Sequence, residues 1–275
     1  MFLTVRNFRA KNGNFMIQFN ARTGIQGWID AYSMRIKNRG LANSIVHHTI
    51  QLFLPLLKAY ALLTNQSSFT FCEKKYTYAF SRYGATWSTE RAVEVPIFLD
   101  VLNKALAEKK TILEIGNVME HYMPAKHTGL WAVVDKYEVA PDIINQDIAE
   151  FSRDTKYNFI LSVSTMEHVG FDEEDKDNNK IIKAIDNIVQ NLLTPDGIFI
   201  FSVPFGFNPT MDEIVFGRKI KLSDVCFMKR YKMLDWKQVD EYEVKNSQYG
   251  NIYYGSADAV AVAVINSKEK IKELL

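Results

Sequence analysis

Short apolar runs punctuate the second half of the chain. Residues 111–115 (TILEI), 130–135 (LWAVVD), 142–144 (DII), 157–164 (YNFILSVS) and 197–204 (GIFIFSVP) are apolar on both faces, as strands buried within a parallel sheet are. Between the last two runs, Ile181, Ile182, Ile185, Ile188, Val189, Leu192 and Leu193 form one stripe at helical spacing. Thr194-Pro195-Asp196-Gly197 then reads as a stop and a turn into the next strand. The alternation predicts an α/β fold: a Rossmann-like, doubly wound, mostly parallel sheet with right-handed crossovers. Farther on, residues 224–233, 236–242 and 258–265 look like strands with no long helix between them, so they are expected as antiparallel C-terminal strands added to the sheet edge.

Upstream the pattern changes. Residues 69–80 (FTFCEKKYTYAF) alternate aromatic and polar positions and read as a hairpin. Ile97, Phe98, Val101, Leu102, Ala105 and Leu106 recur at helical spacing behind Pro96, a residue tolerated in a first helical turn. Residues 1–66 form an N-terminal helical and hairpin extension, with turn signals at Asn12-Gly13 and Thr23-Gly24. It ends in the apolar stretch 44–63, which His47, His48, Gln51, Pro55 and Lys58 interrupt, so no transmembrane segment is expected. A buried or partner-facing helix is the reading there, with peripheral membrane contact as the alternative. The chain thus divides into an extension (1–66), a hairpin and cap segment (67–90) and an α/β domain (91–275).

Composition narrows the classes. At 275 residues and 47% hydrophobic the chain can bury a full core, and a formal charge of +1 gives no global field for nucleic acid. The first fifteen residues carry Arg6, Arg9 and Lys11 with no uninterrupted apolar core, unlike a signal peptide, which favours a cytoplasmic protein. Cys72 and Cys226 lie outside any CxxC pattern and read as two reduced thiols, with no metal site signalled. Adjacent His47 and His48 point in different directions on a helix, and the acidic run 172–177 lacks calcium-loop spacing and reads as a solvated rim. Arg218, Lys219, Lys221, Lys229, Arg230 and Lys232 read as a charged edge-strand face, or as an attractor for a phosphate-bearing acceptor.

In a doubly wound sheet, ligands bind at the carboxyl ends of the strands where strand order reverses. That rule gathers Gly116, Asp135, Asp147 and Ser164 around one crevice. Asp135 stands about twenty residues past Gly116, the spacing at which an acid accepts from ribose hydroxyls. A dinucleotide also needs glycines for its pyrophosphate, and Asn117, Val118 and Met119 stand where they would be sought, so a ribose-bearing cofactor without pyrophosphate fits better.

The segments ILEIGNVMEHY, VVDKYE, INQDIAEF, FILSVSTMEHVG, LLTPDGIFIFSVPFGFNP and ADAVAVAVI, in this order, resemble class I S-adenosylmethionine-dependent methyltransferases. The nearer resemblance is to those of bacterial and archaeal surface-polysaccharide biosynthesis, over roughly residues 69–265. It implies S-adenosylmethionine as cofactor, with Glu114, Gly116 and Asn117 in the methionine loop and Asp135 on the ribose. It likewise implies Asp147 and Ile148 beside the adenine, Ser164 and Thr165 beside the sulfonium, and Arg91 on the cofactor's carboxylate. The implied acceptor is a small molecule or glycan, nucleotide- or lipid-linked, methylated at a sugar hydroxyl. A hydroxyl must lose its proton, which makes His168 the base, Glu167 its orienting or substrate-binding neighbour and Asp212 an alternative base. Two other readings stand beside it: a non-catalytic binding protein that kept the fold, and an NAD-dependent oxidoreductase.

Overall fold

The computed structural model describes residues 2–9, 15–22, 41, 45, 49, 53–64, 66–81, 83–123, 129–173, 175–232, 234–250, 256–266 and 268–275. The hairpin turn at 12–13 and the pair His47 and His48 lie outside them. Strands β1 (Phe2–Arg9) and β2 (Phe15–Arg22) pair antiparallel, and helix α1 spans Leu54–Leu63. Leu56, Tyr60, Leu62 and Leu63 of α1 are exposed, Ala61 is buried, and Leu57 packs on the core. No helix among the described residues is long and apolar enough to cross a membrane.

Strands β3 (Ser68–Phe71) and β4 (Lys74–Thr77) form the expected hairpin. It leads through residues 83–88 into helix α2 (Arg91–Ala107). The helix begins earlier than its apolar spacing suggested, which leaves Pro96 inside it. A proline there cannot donate to the carbonyl four residues back. The freed Ala92 carbonyl accepts instead from the Ala79 amide at 3.0 Å, so the hairpin's outgoing strand docks where the proline opened the helix.

Across the main sheet the strands stand in the order 235–239, 224–232, 259–265, 193–204, 157–163, 112–115, 131–134 and 143–144. Its parallel part comprises β5 (Ile112–Ile115), β6 (Trp131–Val134), β7 (Ile143–Ile144), β8 (Tyr157–Val163) and β9 (Leu193–Pro204). Strand order reverses between β5 and β8, which fixes the switch point at their carboxyl ends. Helix α3 (Lys180–Asn187) ends in a π turn at Ile188–Leu192, and β9 starts at the next residue. Thr194–Gly197 therefore does not precede the strand; it is a bulge inside β9, where Tyr157 pairs with Leu193 but Phe159 with Ile198. Helix α4 (Pro209–Val215) follows β9.

The C-terminal strands form the expected antiparallel addition at the edge of the parallel sheet, beyond β9. Strands β10 (Asp224–Lys232) and β11 (Asp235–Val239) form an antiparallel hairpin at the edge, followed by the short helix α5 (Glu241–Val244). Strand β12 (Ala259–Ile265) inserts antiparallel between β9 and β10, and the one-turn helix α6 (Ile271–Leu274) follows it. Full burial on both faces explains its unbroken apolar sequence. Its valines join the core under α2, and its alanines join the opposite core with α3 and α4, giving three layers.

Candidate functional site

At the carboxyl end of β5 the chain turns on Gly116, whose φ of 81° is left-handed. A Cβ there would lie 2.3 Å from Thr165 Oγ1, so this glycine serves both the turn and the close packing of the loop after β8. Glu114, completely buried in β5, accepts from the Val118 and Met119 amides through Oε1 at 2.8 and 2.6 Å. One oxygen of the acid read as a cofactor contact is therefore taken by the loop's own backbone, in the manner of a cap, while its Oε2 has no hydrogen-bond partner among the described residues. Burial pushes its carboxyl up to about 8, against the pull of those two amides. Asn117 is buried, and its Oδ1 has no hydrogen-bond partner among the described residues.

Asp135 follows β6 directly. Its Oδ1 accepts from the Tyr137 and Glu138 amides at 2.8 and 2.7 Å, and Oδ2 makes no hydrogen bond to the described residues. Asp147 is less available. Its carboxylate accepts from the Ala149 amide and pairs with Lys180 at 2.6 Å and Lys136 at 2.9 Å. The same two ammoniums hold Glu173, at 2.6 and 2.8 Å, which closes a ring of two lysines and two acids. Burial opposes ionisation of Asp147, but the hydrogen bonds from Lys180 and Lys136 prevail and lower its pKa. Ile148, read as an adenine contact, is 5% exposed and packs into the core of the α3 face.

Strand β8 ends in a strained residue: Ser164 has φ 40°, a left-handed value costly for a side chain other than glycine. Its hydroxyl donates to Glu94 Oε1 of α2 at 2.6 Å. Arg91 donates to the Val163 carbonyl at 2.9 Å and lies 3.8 Å from Glu94, so its guanidinium braces the end of β8. Burial alone would lower the Arg91 pKa; the charges of Glu94 and Glu90, with Tyr122 and Glu167, together outweigh it and raise it.

The turn after β8 carries Glu167 and His168. Glu167 is 2% exposed, its Oε2 has no hydrogen-bond partner among the described residues, and burial raises its carboxyl to about 7. His168 Nδ1 lies 2.6 Å from Asp172 Oδ2, and its Nε2 lies 3.6 Å from Glu167 Oε1. A carboxylate only accepts, so Nδ1–H donates to Asp172 and Nε2 is the nitrogen left for chemistry. Burial works against charging the imidazole, yet the Asp172 hydrogen bond and the Glu167 charge raise its pKa. Orienting this ring is one of the parts expected of Glu167 beside substrate binding; in the structure Asp172 holds the hydrogen bond to Nδ1, and Glu167 lies on the Nε2 side. The acidic run around Asp172 concealed this partner, although a histidine and an acid four residues apart could have been noticed as a pair.

Phe207, after β9, lies edge-on to His168 at 4.8 Å. Asn208 ties that loop down: its Nδ2 donates to the Glu167 carbonyl at 2.8 Å, and its Oδ1 caps α4 by accepting from Thr210. Asp212 accepts from the Gly206 amide at 3.2 Å, and burial raises its carboxyl to about 6. On the other side, the Tyr83 ring of the cap lies tilted against His121, centroids 4.0 Å apart, and the Tyr122 hydroxyl donates to the Tyr83 carbonyl. The basic cluster of the edge strands is not one surface: Arg230 is buried and donates to the Ser88 and Ala257 carbonyls, and Lys229 donates to the Glu243 carbonyl.

The fold is Rossmann-like. Order 3-2-1-4-5 in the parallel strands, a reversal of strand order at β5 and β8, and an acid directly after the second strand are its features. No family model matches the chain, and no curated protein matches it in sequence. Among solved structures it is similar to the N-methyltransferase NodS of Bradyrhizobium japonicum in complex with S-adenosyl-L-homocysteine. That likeness has 13% identity and a TM-score of 0.33, over 66% of this chain and 92% of that one. An S-adenosylmethionine-dependent methyltransferase of Clostridium acetobutylicum matches at 12% identity and a TM-score of 0.34, over 64% and 93%. A TehB-like methyltransferase of Corynebacterium glutamicum matches at 13% and 0.33, over 62% and 88%. Likeness this distant assigns neither cofactor nor acceptor to the chain.

Proposed function

We propose that the chain is an S-adenosylmethionine-dependent methyltransferase whose acceptor is a hydroxyl of a small molecule or glycan, with a nucleotide- or lipid-linked sugar as the substrate class. The observation that carries this reading is the Asp172–His168 pair beside the switch point, with the imidazole's Nε2 turned from its 2.6 Å carboxylate partner. A histidine held this way takes a hydroxyl proton at Nε2 while the carboxylate stabilises the imidazolium that forms.

The crevice residues fit the cofactor. The second oxygen of Asp135 is open to ribose hydroxyls, and buried Glu167 Oε2 and Asn117 Oδ1 are acceptors without partners among the described residues, suited to a cationic or amine-bearing ligand. After β5 the described residues form only a single turn, Met119–His121, which offers no long helix terminus for the pyrophosphate of a dinucleotide and disfavours NAD. When bound, S-adenosylmethionine supplies an electrophilic methyl group. The protein's part is positional: Asp135 fixes the ribose, Glu114 and Gly116 shape the loop, and the Phe207 loop holds the acceptor against His168.

The reading of a non-catalytic relative has one observation in its favour, since Thr165 fills the space against Gly116. Calorimetric titration with S-adenosylmethionine and S-adenosylhomocysteine separates the two. Micromolar binding of both supports the enzyme, and no binding by folded protein favours the non-catalytic relative. If both bind, a screen of nucleotide sugars follows, and methylated product that disappears in His168→Asn supports the base assignment.

A further inference from the structure

The β3–β4 hairpin turns on Cys72 and Glu73, with φ values of 48° and 67°. Two positive φ values belong to mirror-image hairpin turns, which ordinarily use Asn-Gly or Gly pairs. Two side-chain-bearing residues held there carry strain that the surroundings must impose. The strained turn brings Cys72 Sγ within 3.4 Å of Cys226 Sγ on β10, 154 residues along the chain. Neighbouring contacts fix the approach: the Cys72 amide donates to Gln238 Oε1 of β11 at 2.7 Å, and the Trp236 amide donates to the Tyr78 hydroxyl at 3.0 Å. Both thiols are free and partly exposed, and β12 and β9 separate Cys226 from β8 and the His168 pair.

We propose that Cys72 and Cys226 form a reversible disulfide by reaction with a low-molecular-weight disulfide, stapling the cap hairpin to the main sheet. The Cys72 thiol gives up its proton, and the thiolate attacks one sulfur of the small disulfide, forming a mixed disulfide and expelling one thiolate, which takes up a proton to become the first free thiol. The Cys226 thiol then gives up its proton and attacks the Cys72 sulfur, releasing the second thiol. The protein's two thiols are oxidised to one disulfide, and the small disulfide is reduced to two thiols. The hydrogen bond between the sulfurs favours this order, because it lowers the Cys72 pKa and raises that of Cys226. The hairpin continues into the segment that places Tyr83 on His121, so the staple would restrain the cap beside the crevice.

The full chain is incubated with oxidised glutathione and mapped by non-reducing peptide mass spectrometry. The expected result is a Cys72–Cys226 cross-linked peptide lighter by two hydrogens, in monomeric protein. A higher melting temperature should accompany it, and dithiothreitol should reverse both. Cys226→Ser should instead trap one glutathione on Cys72 and show no rise. Wild-type protein that keeps both thiols free, carries only glutathione adducts, or links between copies would overturn the proposal. So would a cross-link with an unchanged melting temperature.

Discussion

Glu114 makes stability depend on pH in a defined direction. Its carboxyl moves from an ordinary 4.5 to about 8 in the folded chain because burial disfavours the charge. A folded pKa above the unfolded one gives stability that is complete below the unfolded value and is lost as pH rises toward the folded one. At roughly 1.4 kcal/mol per pH unit, the interval from pH 5 to pH 8 removes about 3–4 kcal/mol, a large part of a typical domain's 5–15 kcal/mol. Glu114→Gln keeps an acceptor for the Val118 and Met119 amides and removes the ionisation. Denaturant unfolding of both proteins at pH 5, 6, 7 and 8 reads the effect, with circular dichroism as the probe. The difference, variant minus wild type, should grow by about 3–4 kcal/mol across that range. Some slope should remain in the variant, because Glu167 at about 7 and Asp212 at about 6 act in the same sense. Parallel curves for the two proteins, or a wild type that gains stability toward pH 8, would refute the assignment of a neutral, buried Glu114.

Three further expectations concern the crevice. His168→Asn should lower turnover by about 10²–10⁴-fold with cofactor affinity unchanged in calorimetry; turnover in the wild type should rise with pH through a midpoint above 6.5 and shift to lower pH in Asp172→Asn, since the Asp172 bond raises that pKa. Gly116→Ala should cost about 2–4 kcal/mol in urea unfolding, from left-handed strain together with overpacking, and Thr165→Ala should recover part of it; an additive pair would mean that the two residues do not touch. Asp135→Ala should weaken S-adenosylmethionine binding by about 1–3 kcal/mol, and affinity equal to wild type in calorimetry would remove Asp135 from the ribose.

Much of the sheet was legible because burial on two faces demands unbroken apolar runs, and β5, β6, β8, β9 and β12 all show them. The hairpin at β3–β4 was equally legible from its period of two. What the pattern could not carry was position: an apolar run such as AVAVAVI says that β12 is buried, not that it lies between β9 and β10. The start of α2 was likewise misplaced, because the docking of Ala79 on the Ala92 carbonyl accommodates Pro96 from outside the helix.

For the candidate site, sequence alone determined the residue types at the strand ends: an acid in β5 and a glycine after it, an acid after β6, and an acid-histidine pair after β8. Those follow from local order along the chain. Tertiary structure decided what each one faces. It turned Glu114 onto its own loop, enclosed Asp147 between two lysines, gave His168 to Asp172 and brought Cys72 to Cys226. The physical reason is that a polar side chain's partner is set by whichever donors and acceptors packing brings within about 3 Å, and packing is a property of the whole sheet and its layers.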